Sequence, residues 1–372
     1  MTSEQHQQWM QHALRLAAQA RGRTTPNPMV GSVIVTPEGE LLAEGYHRRA
    51  GEAHAEVDAL RKVDGKAPGS TLYVNLEPCC HYGRTPPCTE ALIASSVSHV
   101  VVGIQDPNPK VDGKGIQQLR DAGIQVTVGV LEDECRALNM PYFTHIQHHR
   151  PMVSLKAAMS LDGKIATHTG DARWLSHKEA RTWAHRIRDH VDAILVGANT
   201  VTLDNPALNV RHVEGKDPVR IVLDSKLTTP LASQLYQAPL AEGTWVLTTE
   251  AADASKAQTL SEQGVRVVTL PADKDGHVSI EATLHYINEQ KLIHLLVEGG
   301  GHIHGSFLRA RLVDRVHFVM TPWVVGNNGR SAFQFDGPDL LAHAMQIHDV
   351  QSTPLGPDIL IEGTPHWDDP VS

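Results

Sequence analysis

His54-Ala55-Glu56, followed by Pro78-Cys79-Cys80-His81-Tyr82-Gly83-Arg84-Thr85-Pro86-Pro87-Cys88, is the pattern on which the reading of this chain turns. One imidazole and two thiolates can hold a tetrahedral zinc ion and leave its fourth position to water, which is the catalytic arrangement. Zinc held in this way lowers the pKa of that water to about 7 and so makes a nucleophile at neutral pH. His54, Cys79 and Cys88 are the expected ligands. Glu56 lies two residues beyond His54 on the same first helical turn, where its carboxylate reaches the water without ligating the metal.

A carboxylate so placed can take the water's proton and hand it to a leaving amine, as in zinc-dependent deamination of a nucleobase. A closed structural site built from Cys79, Cys80, Cys88 and His81 is the competing arrangement. Adjacent Cys79 and Cys80 point in divergent directions, which weighs against it. Cys80 then reads as a bystander thiol and Cys135 as a small apolar packing residue.

Working outward, 372 residues suit two domains of ordinary size. Hydrophobic residues make up 41%, and glycine brings the total to about half, the usual globular range. The formal net charge of −9 argues against a protein built to clamp a phosphodiester backbone. No apolar run approaches the ~18 residues of a membrane helix, and the opening MTSEQHQQWMQHALRLAAQA has no signal-peptide core. Four cysteines make no disulfide framework, so a cytoplasmic chain is expected.

Residues 5–21 have amphipathic spacing ended by Gly22. Strands are expected at Val30–Val35, Leu41–Tyr46, Thr71–Leu76, His99–Ile104 and Ile124–Val130, with helices at His54–Val63, Cys88–Val97, Gly115–Ala122 and Leu131–Met140. The polar, aperiodic stretch His145–Pro151 marks a boundary, giving domains 1–147 and 148–372. A second alternating series has strands at Val153–Ala157, Ala193–Val196, Val219–Leu223, Thr244–Leu247, Val265–Leu270, Leu292–Val297 and Val316–Met320. Helix Lys178–His190 sits among them, with Ser176 as its expected N-cap. The expectation is two different α/β domains in tandem.

Within the second series, Lys156–Ala166 reads as a strand, a tight turn at Asp162-Gly163, and a resumed strand. Strand Leu292–Val297 runs into Glu298-Gly299-Gly300-Gly301-His302-Ile303-His304-Gly305-Ser306 and then a helix, which suits an anion site or an ordinary tight turn. His304 stands where the third glycine of a Gly-x-Gly-x-x-Gly fingerprint belongs, so a Rossmann dinucleotide fold is not supported.

Thr25-Pro26-Asn27-Pro28-Met29-Val30-Gly31, His54-Ala55-Glu56-Val57 and Glu77-Pro78-Cys79 through Cys88 resemble the pyrimidine deaminase of riboflavin biosynthesis. Most zinc deaminases place two residues between their cysteines, whereas here residues 80–87 intervene and contain Gly-Arg-Thr-Pro-Pro. The second half resembles the reductase that follows this deaminase in bifunctional enzymes, in Lys156–Ala166, Arg173-Trp174, Ala193–Thr200, Leu203–Leu208, Arg211, Leu223-Asp224-Ser225 and Glu298–Ser306. The resemblance implies a cytidine-deaminase-like three-layer domain followed by a dihydrofolate-reductase-like α/β domain.

It also implies one zinc ion, NADPH, a phosphorylated pyrimidine as small-molecule substrate, and a homo-oligomer. Asn27 would line the deaminase pocket. NADPH would contact Ala158, Trp174, Thr200, Asp204, Ser225 and Gly300, Gly301, His302, Ile303, His304, Gly305 and Ser306. Substrate would contact position 172, Arg188, Leu208, Arg211 and Glu298. The family usually has Ser where Ala172 stands, so a hydroxyl contact is missing there. Arg188 and Arg211 have the chemistry to grip a sugar phosphate through paired hydrogen bonds. A tRNA or DNA editing deaminase would use the same zinc motif, but the charge balance and the 5% aromatic content weigh against it. A zinc-stabilised scaffold without catalysis is the remaining alternative.

Overall fold

The computed structural model describes residues 2–83 and 86–367. The chain divides into two compact units, Met1–Arg150 and Pro151–Ser372. Arg84 and Thr85, within the deaminase-like motif, lie outside the described residues, as does the end of the chain.

Unit 1 runs α1 (Ser3–Ala18), β1 (Gly31–Val35), β2 (Leu41–Tyr46), α2 (Ala55–Arg61), β3 (Thr71–Leu76), α3 (Cys88–Ser95), β4 (His99–Ile104), α4 (Lys114–Asp121), β5 (Gln125–Val128), α5 (Glu132–Leu138) and α6 (Met140–His148). Its sheet has the order β2-β1-β3-β4-β5, with β1 antiparallel to both neighbours and β3, β4 and β5 parallel. β1 and β3 are buried at every residue, as strands covered on both faces must be. Ala59, Leu60, Leu92 and Leu119 from α2, α3 and α4 pack on one face, while α1 and α5 lie together on the other. The result is three layers.

Helix α2 can lie on β2 because residue 45 is glycine: a Cβ there would sit 2.5 Å from the Ala59 nitrogen. The stretch expected to be a polar linker is instead helical as far as His148. Pro141 is tolerated at the start of α6, where a missing N–H costs nothing, and the division falls three residues beyond the 147/148 expectation.

Unit 2 contains β6 (Met152–Ser160), β7 (Lys164–Ala166), α7 (Lys178–His190), β8 (Ala193–Gly197), α8 (Ala198–Asp204), β9 (Val219–Leu223), β10 (Thr244–Thr248), α9 (Ala254–Glu262), β11 (Arg266–Thr269), α10 (Ile280–Glu289), β12 (His294–Val297), α11 (Gly301–Arg309), β13 (Arg315–Thr321), β14 (Arg330–Ser331), β15 (Gln346–Leu355) and β16 (Asp358–His366). A nine-stranded sheet has the order β11-β10-β9-β8-β12-β6-β13-β16-β15. The strands from β11 to β13 in that order run parallel, and β16 and β15 close the edge antiparallel. Leu284, Ile287, Phe307 and Leu308 from α10 and α11 fill one face, and Val201 and Leu260 the other.

One local expectation holds and one changes. The strand, turn and resumed strand expected at Lys156–Ala166 form as the end of β6, a turn at 161–163 and β7, and β7 makes a separate two-stranded ladder with β14. The N-cap of α7 is His177 rather than Ser176, and the His177 side chain makes no capping bond. Buried Asp358 of β16 takes the His177 N–H at 2.7 Å and its Nδ1 at 2.9 Å, so a distant carboxylate supplies the anion that the helix start favours. The long β15–β16 hairpin, which lacked a clear sequence pattern, fastens itself to α7 by this contact. Among the described residues no helix is long and apolar enough to cross a membrane.

Candidate functional site

In unit 1 the site assembles where α2 and α3 begin. His54 is the N-cap of α2 in extended conformation and makes no side-chain capping bond, so its ring is available to the site. Cys88 is the first residue of α3, and its N–H points to the Cys79 sulfur at 3.4 Å. His54 Nδ1 lies 3.2 Å from Cys88 Sγ and 3.4 Å from Cys79 Sγ. Tetrahedral zinc with ordinary bond lengths spaces N and S ligands by about 3.6 Å, so this donor set fits the ion. The Cys80 sulfur is turned towards the Lys110 carbonyl at 3.6 Å, outside the cluster, and Cys135 is buried in the core.

The hydrogen bond from the Cys88 thiol holds Cys79 well below the usual thiol range; His54 adds to this and burial opposes it. Glu56, only 3% exposed, stands beside the three donors. Burial pushes its carboxyl up, opposed by His54 and reinforced by Cys79, which suits a group that must both take and give a proton.

Two further side chains frame the pocket. His47 lies edge-on to His54, with ring centroids 5.4 Å apart. Its Nδ1 donates to the Ala53 carbonyl at 3.0 Å, so its Nε2 is the acceptor for Asn27 Nδ2 at 3.1 Å. The Asn27 amide orientation is thereby fixed. The segment carrying Asn27 is clamped at Met29, whose N–H and carbonyl pair with the amide of Asn139 at 2.8 and 2.9 Å. Asn75 donates to the same carbonyl at 3.0 Å.

In unit 2 the candidate residues gather beyond the carboxyl ends of the parallel strands, where open α/β sheets bind ligands. Glu298 follows β12 and meets Arg188 of α7 through two bonds, Nε to Oε1 at 2.9 Å and Nη2 to Oε2 at 2.7 Å. Burial alone would raise the Glu298 carboxyl, but Arg188 and Lys156 outweigh it and hold it at about 2. Lys156 projects from β6 into this group; burial lowers its ammonium, and Glu298 opposes that. Gly300 takes φ +62, a left-handed conformation that suits glycine, and a Cβ there would meet Thr200 Oγ1 at 3.3 Å.

The chain matches the cytidine and deoxycytidylate deaminase zinc-binding region over residues 3–104 and the RibD C-terminal domain over residues 151–361. Riboflavin biosynthesis protein RibD of Aquifex aeolicus is 43% identical over 362 residues, 97% of this chain and 99% of the relative. That of Escherichia coli K12 is 37% identical over 370 residues, 96% and 98% respectively. The chain belongs to the RibD family.

Among solved structures, RibD of Acinetobacter baumannii in its form 1 superposes with a TM-score of 0.88 at 35% identity, covering 98% of this chain and 100% of that one. A Thermotoga maritima deaminase/reductase gives 0.83 at 34% identity, covering 98% and 99%. The fold is therefore a cytidine-deaminase-like domain followed by a RibD reductase domain, and the protein is a bifunctional deaminase and reductase of riboflavin biosynthesis that acts on a small molecule. Both members of the pair imply a cofactor, zinc for the first and a nucleotide for the second. A match across the whole chain to such enzymes favours this activity over nucleic-acid editing.

Not every residue expected in the RibD reductase site presents its side chain there. Arg188 gives three of its five N–H donors to Glu298 and, through Nη1, to the Asn209 carbonyl at 3.1 Å, so it acts as a strut between them. The Leu208 side chain is in the core, which leaves only its backbone for a ligand. His304 is buried with Nδ1 on the Ala332 carbonyl, and Gly305 is packed against Gln334. The Ser225 hydroxyl accepts the Val278 N–H at 3.0 Å. Trp174 is 70% exposed beneath the Arg181 guanidinium, and so is no core residue. Ala172 and Asp204 are exposed residues, although partial burial of the Asp204 carboxyl raises it against the opposing pull of Arg173 and Arg330. Ala158 on β6 is half-buried; His302 is exposed at the start of α11, where Gly301 is buried and Ile303 and Ser306 are half-buried.

Sequence reasoning missed His47, Asn75, Asn139 and Lys156. Lys156 alone gave a signal, because a cation flanked by Leu155 and Ala157 inside a central strand must find a counter-charge or lose its proton.

Proposed function

We propose that unit 1 hydrolytically deaminates 2,5-diamino-6-ribosylamino-4(3H)-pyrimidinone 5′-phosphate, and that unit 2 then reduces the ribosyl chain with NADPH to give 5-amino-6-ribitylamino-uracil 5′-phosphate. The observation that carries the first step is the convergence of His54, Cys79 and Cys88 beside buried Glu56. Zinc, when bound by those three residues, supplies the Lewis acid that activates water. Glu56 takes the water's proton and delivers it to the departing ammonia. Asn27, its amide held by His47, accepts from the pyrimidine and orients the ring.

NADPH held in this unit would supply the hydride that C1′ of the opened sugar needs, and the accompanying proton would come from solvent water. Ala158, Trp174, Thr200, Asp204, Ser225 and the segment Gly300–Ser306 would contact NADPH, with the N-terminal backbone of α11 offered to its phosphates. His304, Gly305 and Leu208 take part through backbone alone. Arg211 reaches the substrate phosphate, while Arg188 and Glu298 form the floor beneath it. The solved T. maritima relative is named a diaminohydroxyphosphoribosylaminopyrimidine deaminase/5-amino-6-(5-phosphoribosylamino)uracil reductase, which supports these substrates.

The free state of Cys79, Cys80, Cys88 and Cys135 supports a cytoplasmic location, and the exposed edge strand β15 supports a homo-oligomer. Incubation with the diaminopyrimidine phosphate tests the scheme: ammonia is expected without NADPH, and NADPH oxidation only once ammonia has been released. Oxidation that precedes deamination would reverse the order of the two steps. Dialysis against a zinc chelator is expected to abolish ammonia release, while NADPH oxidation with the deaminated intermediate persists. Ammonia release that survives complete metal removal would refute the zinc role.

A further inference from the structure

Helix α7 presents two side chains, one turn apart, to the segment that carries Arg211. Arg188 Nη1 donates to the Asn209 carbonyl at 3.1 Å, and His185 Nδ1 accepts the Arg211 N–H at 3.1 Å. These two bonds bracket residues 209–211. A third, from the Val210 N–H to Asp217 Oδ1 at 2.8 Å, holds the other side of the strip. His185 is 3% exposed and lies edge-on against His212, with ring centroids 4.5 Å apart, so its ring has little room to turn.

We propose that His185 is a positioning residue of the reductase, which sets the backbone from which Arg211 reaches the substrate's phosphate. The inference rests on the reading that Arg211 contacts substrate. Its Nδ1 must keep a lone pair to accept the Arg211 N–H, so the proton of the neutral ring sits on Nε2. The surroundings enforce the neutral form. Burial, then Arg188, Arg211 and His212, lower the imidazole to about 4, and Glu298 opposes them. Without the acceptor, the Arg211 N–H would be left unpaired, and the segment would lose one of its two ties to α7.

The test uses the whole enzyme and a matched pair of variants. In His185→Asn, Oδ1 falls where Nδ1 stood; in His185→Gln, the amide reaches only the Nε2 position. Relative to wild type, H185Q is expected to raise the reductase KM for the phosphorylated pyrimidine about tenfold or more. Its kcat, its KM for NADPH and its ammonia release should stay within about twofold, which also shows that both units are folded. H185N is expected to restore KM to within about threefold. Equal KM values in H185Q and wild type, or equal losses in both variants, would overturn the inference. Arg211→Ala separates this from the underlying reading. If R211A raises KM and H185Q does not, only the role of His185 fails. If R211A leaves KM unchanged, the substrate contact of Arg211 fails, and the inference with it.

Discussion

Glu56→Gln is expected to cut ammonia release by about 10²–10⁴-fold while the protein keeps its zinc. The amide is nearly isosteric with the carboxyl, so the fit of α2 around His54 and the sheet is preserved, but it can neither accept the water's proton nor donate one to the leaving amine. Glu56 is buried beside His54, Cys79 and Cys88 without being one of the three clustered donors, which is why metal content and proton transfer should separate. Ammonia release is measured alongside zinc by metal analysis, with reduction of the deaminated intermediate as the internal control. A variant that loses zinc together with activity would make Glu56 a support of the metal site instead. A variant that keeps full ammonia release would assign the proton transfer to a group other than Glu56.

Glu298→Gln should have the second large effect, on unit 2. Arg188 and Glu298 side chains are 12% and 7% exposed, and their two bonds are the charge balance of a buried group that also holds Lys156. Removing one partner leaves an uncompensated buried charge, which typically costs about 3–5 kcal/mol. Reductase activity should fall to background, and the Tm of unit 2 should drop by several degrees. The double variant R188M/E298L, which removes both charges, is expected to recover most of the stability and none of the activity. Lys156, left without its counter-charge, can shed its proton. Unfolding followed by near-UV circular dichroism checks the stability, and NADPH oxidation checks the activity. A stable, active E298Q would mean that the ion pair carries neither.

The same pair makes unit 2 sensitive to acid. The Glu298 carboxyl is at about 2 in the fold against about 4.3 in an unfolded chain. Its stabilisation is therefore complete above about pH 4.3 and lost as pH falls towards 2. E298Q should lose that part of the acid dependence of its denaturation midpoint.

The cluster of His54, Cys79 and Cys88 was legible because its pattern is local. His54 and Glu56 share one helical turn, Cys88 opens the next helix, and the types and spacing of these residues admit few other uses. The alternating strands and helices were legible for a similar reason, since strands covered on both faces read as apolar runs bounded by turns. Where the reading went astray, the deciding group lay far away in sequence. The start of α7 is held by Asp358, 181 residues on, and no inspection of Ser176 and His177 could find it. The polar stretch from His145 continues helix α6 as far as His148 because the preceding Tyr142 and Phe143 bury that helix against the unit, a contact that periodicity in so short a segment does not display.

Arg188 makes the same point about function. As a residue type it was a candidate phosphate grip, and only the fold shows three of its five N–H donors engaged by Glu298 and Asn209. Asn139 meets Met29 across 110 residues, and His185 meets Arg211 across 26. The order of elements, the gathering of three potential metal ligands and the carboxylate of Glu56 beside them follow from the sequence, because each depends on residues a turn or a strand apart. The charge state of Glu298 and the orientation of Asn27 follow only from packing, because burial and hydrogen-bond geometry are set by groups that the chain brings together from its distant parts. The anchoring of Arg211 has the same origin.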